Sequence, residues 1–223
     1  MQIPDITKGN IAIDRLLEVT TNPRHRYLLM SVARHRLLEF SGQYDEVLAN
    51  DMMNDHPVYN LRAMGLDLNI KGKKEVRALY RNWAETSQCV FYAEDEQVAV
   101  SDNFVASKLT VYSQVSKVTV IGTKLLRFLP KGLARFLFIK MLKFRAKPKH
   151  MYLYKSEEQW FWPYDDHGRL LREDIHETDR STSEIMKLKP DQVLTTARVA
   201  ELLLPHVQPL PDFDEYVLGK KKS

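Results

Sequence analysis

The chain has 223 residues, enough for one large domain or one domain with extensions, and 44% of them are hydrophobic, so a sizeable core is available. Its single cysteine, Cys89, excludes an intramolecular disulfide and a cysteine-rich zinc site, and suits a reducing compartment. The formal net charge of +4 hides an asymmetry: Asn103 to Ser156 holds 12 Lys or Arg and no Asp or Glu, while the rest of the chain carries 21 basic and 29 acidic side chains.

That split invites an anionic partner: nucleic acid, a membrane surface or an anionic substrate. No stretch approaches the roughly 18 uncharged apolar residues of a membrane span. The N-terminus has no cationic start followed by an apolar core, so no signal peptide is expected. A cytoplasmic protein, at most peripheral to a membrane, is the expectation.

In chain order, Ile11 to Val19 reads as a short helix broken by Asn22-Pro23. Arg24 to Phe40 reads as a longer one, with Leu29, Met30, Ala33, Leu37 and Phe40 on one face and Ser41-Gly42 as its stop. Tyr44 to Met53 predicts a second short helix, and Asp55 to Leu61 a short strand. A loop through Gly65 and Gly72 follows. The next helix has Val76, Leu79, Tyr80 and Trp83 at i, i+3, i+4 and i+7. Three long strands come next. The first spans Cys89 to Val100 and turns at Ser101-Asp102-Asn103, the second starts at Phe104, and the third spans His150 to Trp162. The third turns through Pro163 to Gly168 into a charged arm, Arg169 to Asp179. Pro190 opens a final helix. Residues 205–223, with Pro205, Pro209 and Pro211, read as a loosely attached strap or as disordered.

Helices followed by a meander of long strands give an α+β class, with helices on one side of a mainly antiparallel sheet. No glycine-rich phosphate loop is present, and strands do not alternate with helices as in a Rossmann fold.

Several motifs occur in a definite order. A helix ends in "SGQYDEVLAND"; "HPVYNL", a loop to Gly72 and "GKKEVRALYRNW" follow. A hairpin bends at "VAVSDNFVA", and "WFWPYDDHGRLLREDIHETD" closes the series. The chain resembles the nuclear transport factor 2-like superfamily in its SnoaL-like branch, over roughly residues 24–116 and 148–180. The resemblance implies a cone-shaped half-barrel, a curved sheet wrapped on N-terminal helices with a pocket at the wide end. It also implies a homodimer through the outer sheet face. Residues 1–223 then form one SnoaL-like domain, with an insertion at about 117–148 and a C-terminal extension at about 187–223. Members include isomerases, cyclases, dehydratases, hydrolases and proteins that only bind, so fold alone does not settle the reaction.

Where ketosteroid isomerases carry an Asp-Pro-Val base segment, this chain is similar with His56-Pro57-Val58. His56 is a candidate general base, or a histidine held at a strand end. The oxyanion tyrosine of those enzymes corresponds to His35, which helical spacing places away from the main apolar stripe. Their oxyanion-side acid falls near Glu158. On the third long strand, period two puts Tyr152, Tyr154, Ser156, Glu158, Trp160 and Trp162 on one face, suited to a ligand pocket or an aromatic dimer interface. Tyr59, Tyr80 and Trp83 complete the expected substrate wall. A symmetric hairpin sets Trp160 near Arg172, Glu158 near Asp174 and Ser156 near His176. Asp174 and His176 thereby become acid/base candidates, and a one-residue slip turns the set outward. The histidines form no HExxH pair, and no metal site and no cofactor are expected. No G-x-S-x-G elbow supports a serine hydrolase.

The insertion is apolar and cationic together. It reads as a lid over the pocket, a membrane-facing element or an oligomer contact. Its aliphatic run is atypical of a nucleic-acid surface. The expected function is a small-molecule pocket protein acting on a lipophilic ligand. It is either a cofactor-independent acid/base enzyme of isomerase, lyase or hydrolase type, or a non-catalytic carrier or membrane-surface protein.

Overall fold

Asn22 accepts hydrogen bonds from the backbone N–H groups of Arg24 and His25, and Pro23 takes the first helical position, so α2 (Pro23–Phe40) starts cleanly. It stops at Gly42, whose φ is 74° and where a Cβ would stand 2.6 Å from Thr196 Cγ2, so only glycine fits. The structure is a computed structural model that describes residues 2–143 and 150–220. α1 (Ile11–Val19) precedes α2, and α3 (Tyr44–Val47) follows it. Then come β1 (Met53–Arg62), β2 (Leu68–Lys71) and α4 (Gly72–Glu85).

The long strands are β3 (Phe91–Ser101), β4 (Phe104–Ser116), β5 (Met151–Pro163) and β6 (Leu170–Glu177). Two helices, α5 (Lys117–Leu126) and α6 (Lys131–Met141), fall between β4 and β5. The chain continues with β7 (Glu184–Lys187), α7 (Thr196–Leu203) and α8 (Phe213–Leu218). The sheet runs β2-β1-β6-β5-β4-β3, with β7 also paired to β5. It is mixed: β1 and β6 run parallel and the other pairs are antiparallel. It curves around the helices without closing, which is the α+β architecture expected.

The β4–β5 ladder is unbroken from Phe104↔Pro163 to Ser116↔Met151. In β3 the register slips by one residue between Glu94 and Gln97, with Asp95 at φ 51°. Such a bulge re-aims a side chain, and here it turns Glu96 inward. Arg36 of α2 donates Nη1–H to Glu96 Oε2 at 2.9 Å and Nη2–H to Oε1 at 2.6 Å, with both side chains buried. The guanidinium also lies 5.1 Å from the Trp160 ring centre and 5.0 Å from that of Trp162. One side chain thus pins α2 to β3 and β5.

Several expectations need correction. α2 is not half-exposed: His35, Arg36 and Glu39 are buried, while Met30, Ala33 and Leu37 of the expected stripe are only partly so. The helix lies inside the curve of the sheet, so its polar side chains also face protein. The hairpin after Trp162 starts at a Tyr164↔Leu170 bridge, but the ladder beyond it pairs Phe161↔Asp174, Trp160↔Ile175 and Glu158↔Glu177. One residue is gained on β6 between the two; the expected partners of Trp160 and Glu158, Arg172 and Asp174, are displaced by three, an odd number, so the β6 side chains beyond Leu170 change face. Tyr44 to Met53 yields a helix only over Tyr44–Val47, and the strand starts at Met53. The helix expected from Pro190 starts at Thr196, capped by Thr195, because Pro190–Gln192 forms a separate single turn, and α8 follows it. The tail is docked: Phe213 packs edge-on to Tyr27 at 5.0 Å, and Gly168, φ 70°, leaves it room. Residues 144–149 and 221–223, parts of the expected insertion and tail, lie outside the described residues.

Removing one partner of a buried ion pair strands the other charge, which costs about 3–5 kcal/mol. Arg36→Met is expected to lower the unfolding free energy by about that amount in urea titrations. Arg36→Met combined with Glu96→Gln should lose less than the two single losses together. Simple additivity would show that the pair does not act as a unit.

Candidate functional site

A cavity of about 120 Å³ opens between the concave sheet face and the helices, walled by Leu61, Leu68, Trp83, Phe91, Trp160 and Ile175. Its polar groups include three carboxyls, Glu39 from α2, Glu158 from β5 and Glu173 from β6. Thr119 and Thr123 of α5 and Phe138 of α6 cover it on one side.

Glu39 stands one helical turn beyond His35, so both side chains leave the same face of α2. His35 Nε2 lies 3.4 Å from Glu39 Oε2 and 3.1 Å from the Tyr80 hydroxyl. That hydroxyl is 2.8 Å from the Tyr59 hydroxyl and donates toward Glu173 Oε2 at 3.5 Å. Trp162 Nε1–H donates to Glu173 Oε1 at 3.0 Å. A ligating atom from each of His35, Glu39 and Glu173 lies within 4.8 Å of the other two, and all three residues are buried. Among the described residues this is the cluster that could hold a metal ion.

The electrostatics follow from burial. Desolvation pushes the Glu39 carboxyl up to about 8, although the Arg36 charge pulls the other way. Glu173 is pushed up to about 7, by burial first and by the neighbouring Glu39 charge second, against His35, Trp162 and Arg36. Burial lowers His35, which favours a neutral imidazole. Glu158 accepts from Ser156 Oγ at 2.7 Å and from Trp160 Nε1–H, yet burial still raises it. Two carboxyls this close cannot both ionise cheaply, so they titrate as a pair with one proton between them near neutrality.

The residues expected from sequence divide into three groups. Trp83, Tyr154, Glu158 and Trp160 line the cavity. Tyr59 and Tyr80 belong to the buried network behind Glu173, and Tyr152 sits half-buried outside the lining, opposite Val115 and Lys187. His56, Asp174 and His176 do not reach the cavity. His56 and His176 are exposed, and Asp174 is held by Asn60 Nδ2 and by Arg172 Nε at 2.8 Å. The register shift is the reason for Asp174 and His176: it turns Arg172, Asp174 and His176 outward and Glu173, Ile175 and Glu177 inward. His56 sits where β1 departs from its register with β6, between Met53 and Val58.

Sequence reasoning missed Glu39 and Glu173. The available signal for Glu39 was the set His35, Arg36 and Glu39 in a helix with apolar residues on every side. Glu173 had no comparable signal, since its face depends on one unpaired residue in β6.

Both raised carboxyls hold their protons more tightly folded than unfolded. Their contribution to stability is complete below the unfolded value of 4.5 and is lost as pH rises through about 7 and about 8. His35 acts in the opposite sense, but only below its unfolded value of 6.5. The thermal midpoint is therefore expected to fall as pH is raised from 6.5 to about 9, and Glu39→Gln to flatten that fall. A midpoint that is flat or rising over this window in the native chain contradicts the assignment.

No family model matches the chain, and no curated protein matches it. Solved structures do. A candidate polyketide cyclase from Xanthomonas campestris pv. campestris is 12% identical, with 70% of this chain and 93% of that chain covered and a TM-score of 0.44. A Mycobacterium tuberculosis protein in complex with estradiol-17beta-hemisuccinate is 12% identical, with coverage of 74% and 99% and a TM-score of 0.44. An NTF2-like protein from Anabaena variabilis is 10% identical, with coverage of 65% and 91% and a TM-score of 0.35. The solved structures similar to this chain thus include a member of the superfamily that the sequence motifs resemble.

Proposed function

We propose that the chain is a cofactor-independent enzyme that moves a proton on a lipophilic small molecule. The observation that carries this reading is the pair Glu39 and Glu173 lining one cavity, with ligating atoms within 4.8 Å and both carboxyls raised toward neutrality. A base poised near the working pH combines availability with driving force. Glu173, the lower of the two, is the base, and it removes a proton from a carbon next to a carbonyl. Glu39 keeps its proton and donates to the oxygen on which charge develops. Tyr80 and Trp162 hold the Glu173 carboxyl in place, so they are positioning residues.

The cavity also selects its ligand. Among the described residues no Lys, Arg or His lines it, whereas three carboxyls do. A carboxylate or phosphate buried there would meet like charge without compensation. A neutral ligand with an apolar body and a carbonyl or hydroxyl group fits that lining.

Incubation of the native chain in deuterium oxide with a panel of neutral lipophilic ketones, followed by NMR, tests this. Exchange at the carbon next to the carbonyl should be accelerated, and Glu173→Gln should slow it by about 10²–10⁴-fold. Glu39→Gln should also slow the exchange, because a carboxamide is a much weaker proton donor to the developing oxyanion than a carboxylic acid. Ketones retained in native mass spectra without any accelerated exchange would instead make the chain a carrier.

A further inference from the structure

The outer faces of α5 and α6 differ in chemistry from the inner ones. On α5, Val118, Ile121 and Leu125 recur at helical spacing and are 65%, 48% and 65% exposed. Phe128, in the link between the helices, is 74% exposed, and Leu133 and Phe136 continue the apolar surface on α6. Lys117 and Lys124 fall on the same helical arc as the α5 stripe. Arg127 lies over the Phe128 ring at 4.5 Å, and Lys140 over the Phe136 ring at 5.4 Å. The opposite face of α5 turns Thr119 and Thr123 to the cavity and buries Leu126.

An ordinary surface helix buries its apolar stripe and exposes its polar one. Here large apolar side chains point outward from both helices, and cations accompany them. Exposed apolar patches of this kind mark interaction sites. Charge decides which partner fits. Lys117, Lys124, Arg127 and Lys140 stand with this apolar surface, so a second copy meeting the first through this face would bring cations against cations. Nucleic acid satisfies the charge but not the aliphatic surface. An anionic bilayer satisfies both, since interfacial helices sink apolar side chains below the headgroups and hold Lys and Arg at the phosphates.

We propose that the α5–α6 face docks on an anionic lipid bilayer. Val118, Ile121, Leu125, Phe128, Leu133 and Phe136 enter the headgroup boundary, while Lys117, Lys124, Arg127 and Lys140 meet the lipid phosphates. α5 then has the bilayer on one side and the cavity on the other, which gives a lipophilic substrate a short route between them. The route rests on the proposed cavity chemistry; the docking does not.

Co-sedimentation of the full chain with vesicles tests the docking. The vesicles are phosphatidylcholine alone, and phosphatidylcholine with about one quarter phosphatidylglycerol. Binding to the anionic vesicles is expected, at least about tenfold weaker to the neutral ones and weakened by added salt. Leu125→Asp combined with Phe128→Asp, at two exposed positions, should reduce anionic binding by at least about tenfold with an unchanged circular dichroism spectrum. Lys117→Glu with Lys124→Glu should do the same while leaving the apolar surface intact. Glu173→Gln should bind vesicles like the native chain, which separates a failure of docking from a failure of the cavity chemistry. Equal binding to both vesicles, or binding unchanged in both double variants, overturns the proposal. A dimer that the Leu125→Asp, Phe128→Asp variant abolishes, with neither vesicle bound, also overturns it and assigns the face to a second copy.

Discussion

The Arg36 guanidinium is the constraint on which the interior depends. It is buried at 1% exposure, its Nη atoms are engaged by Glu96, and two indole rings cover it. Glu96 is itself raised by burial, but Arg36 holds it below the ordinary carboxylate value. The strong pairing is therefore spent on β3. Glu39 and Glu173 receive only the field of that cation at a distance, and burial outweighs it for both. The same arginine that ties α2 to the sheet leaves two nearby carboxyls undercompensated. Structural and chemical roles are divided between glutamates by which of them reaches the guanidinium.

The helices over the cavity are held by several separate contacts. α6 is tied to β2 and α4 by Arg135, which donates to Glu75 and to the Asn69 carbonyl, and by Lys131 with Asp67 near the start of β2. These pairs are partly or largely exposed, and exposed pairs are typically worth about 0–1 kcal/mol each. Asn82 adds one buried hydrogen bond to the Leu142 carbonyl. Apolar contacts add to these bonds, since Leu126, Ala134 and Leu142 are buried and Phe138 and Ile139 pack on the core.

Much of the architecture was legible in the sequence, and much of the site was not. Period-two patterning placed Trp160, Glu158 and Tyr154 on one face of β5, and the ladder with β4 keeps them there. Helical spacing located Trp83 on the cavity side of α4 in the same way. Spacing failed where a single residue decided parity. The gain of one residue in β6 after Leu170 exchanged Glu173 for Asp174, and the bulge at Asp95 brought Glu96 inward. Neither irregularity carries a glycine or proline in the sequence to announce it. On α2 the error was of another kind. A helix enclosed on most sides buries polar residues too, so an apolar stripe no longer marks the inner face, and His35 was assigned to the wrong side.

The central claim is that Glu39 and Glu173 share about one proton at neutral pH inside an apolar cavity. Carbon-13 NMR of the native chain with labelled glutamate side-chain carboxyls measures this directly. Two resonances are predicted to titrate far above the ordinary 4.5, near about 7 and about 8, and substitution of either residue by Gln should remove one and shift the other downward. All glutamate carboxyls titrating near 4.5, or a raised pair that survives both substitutions, would contradict the account.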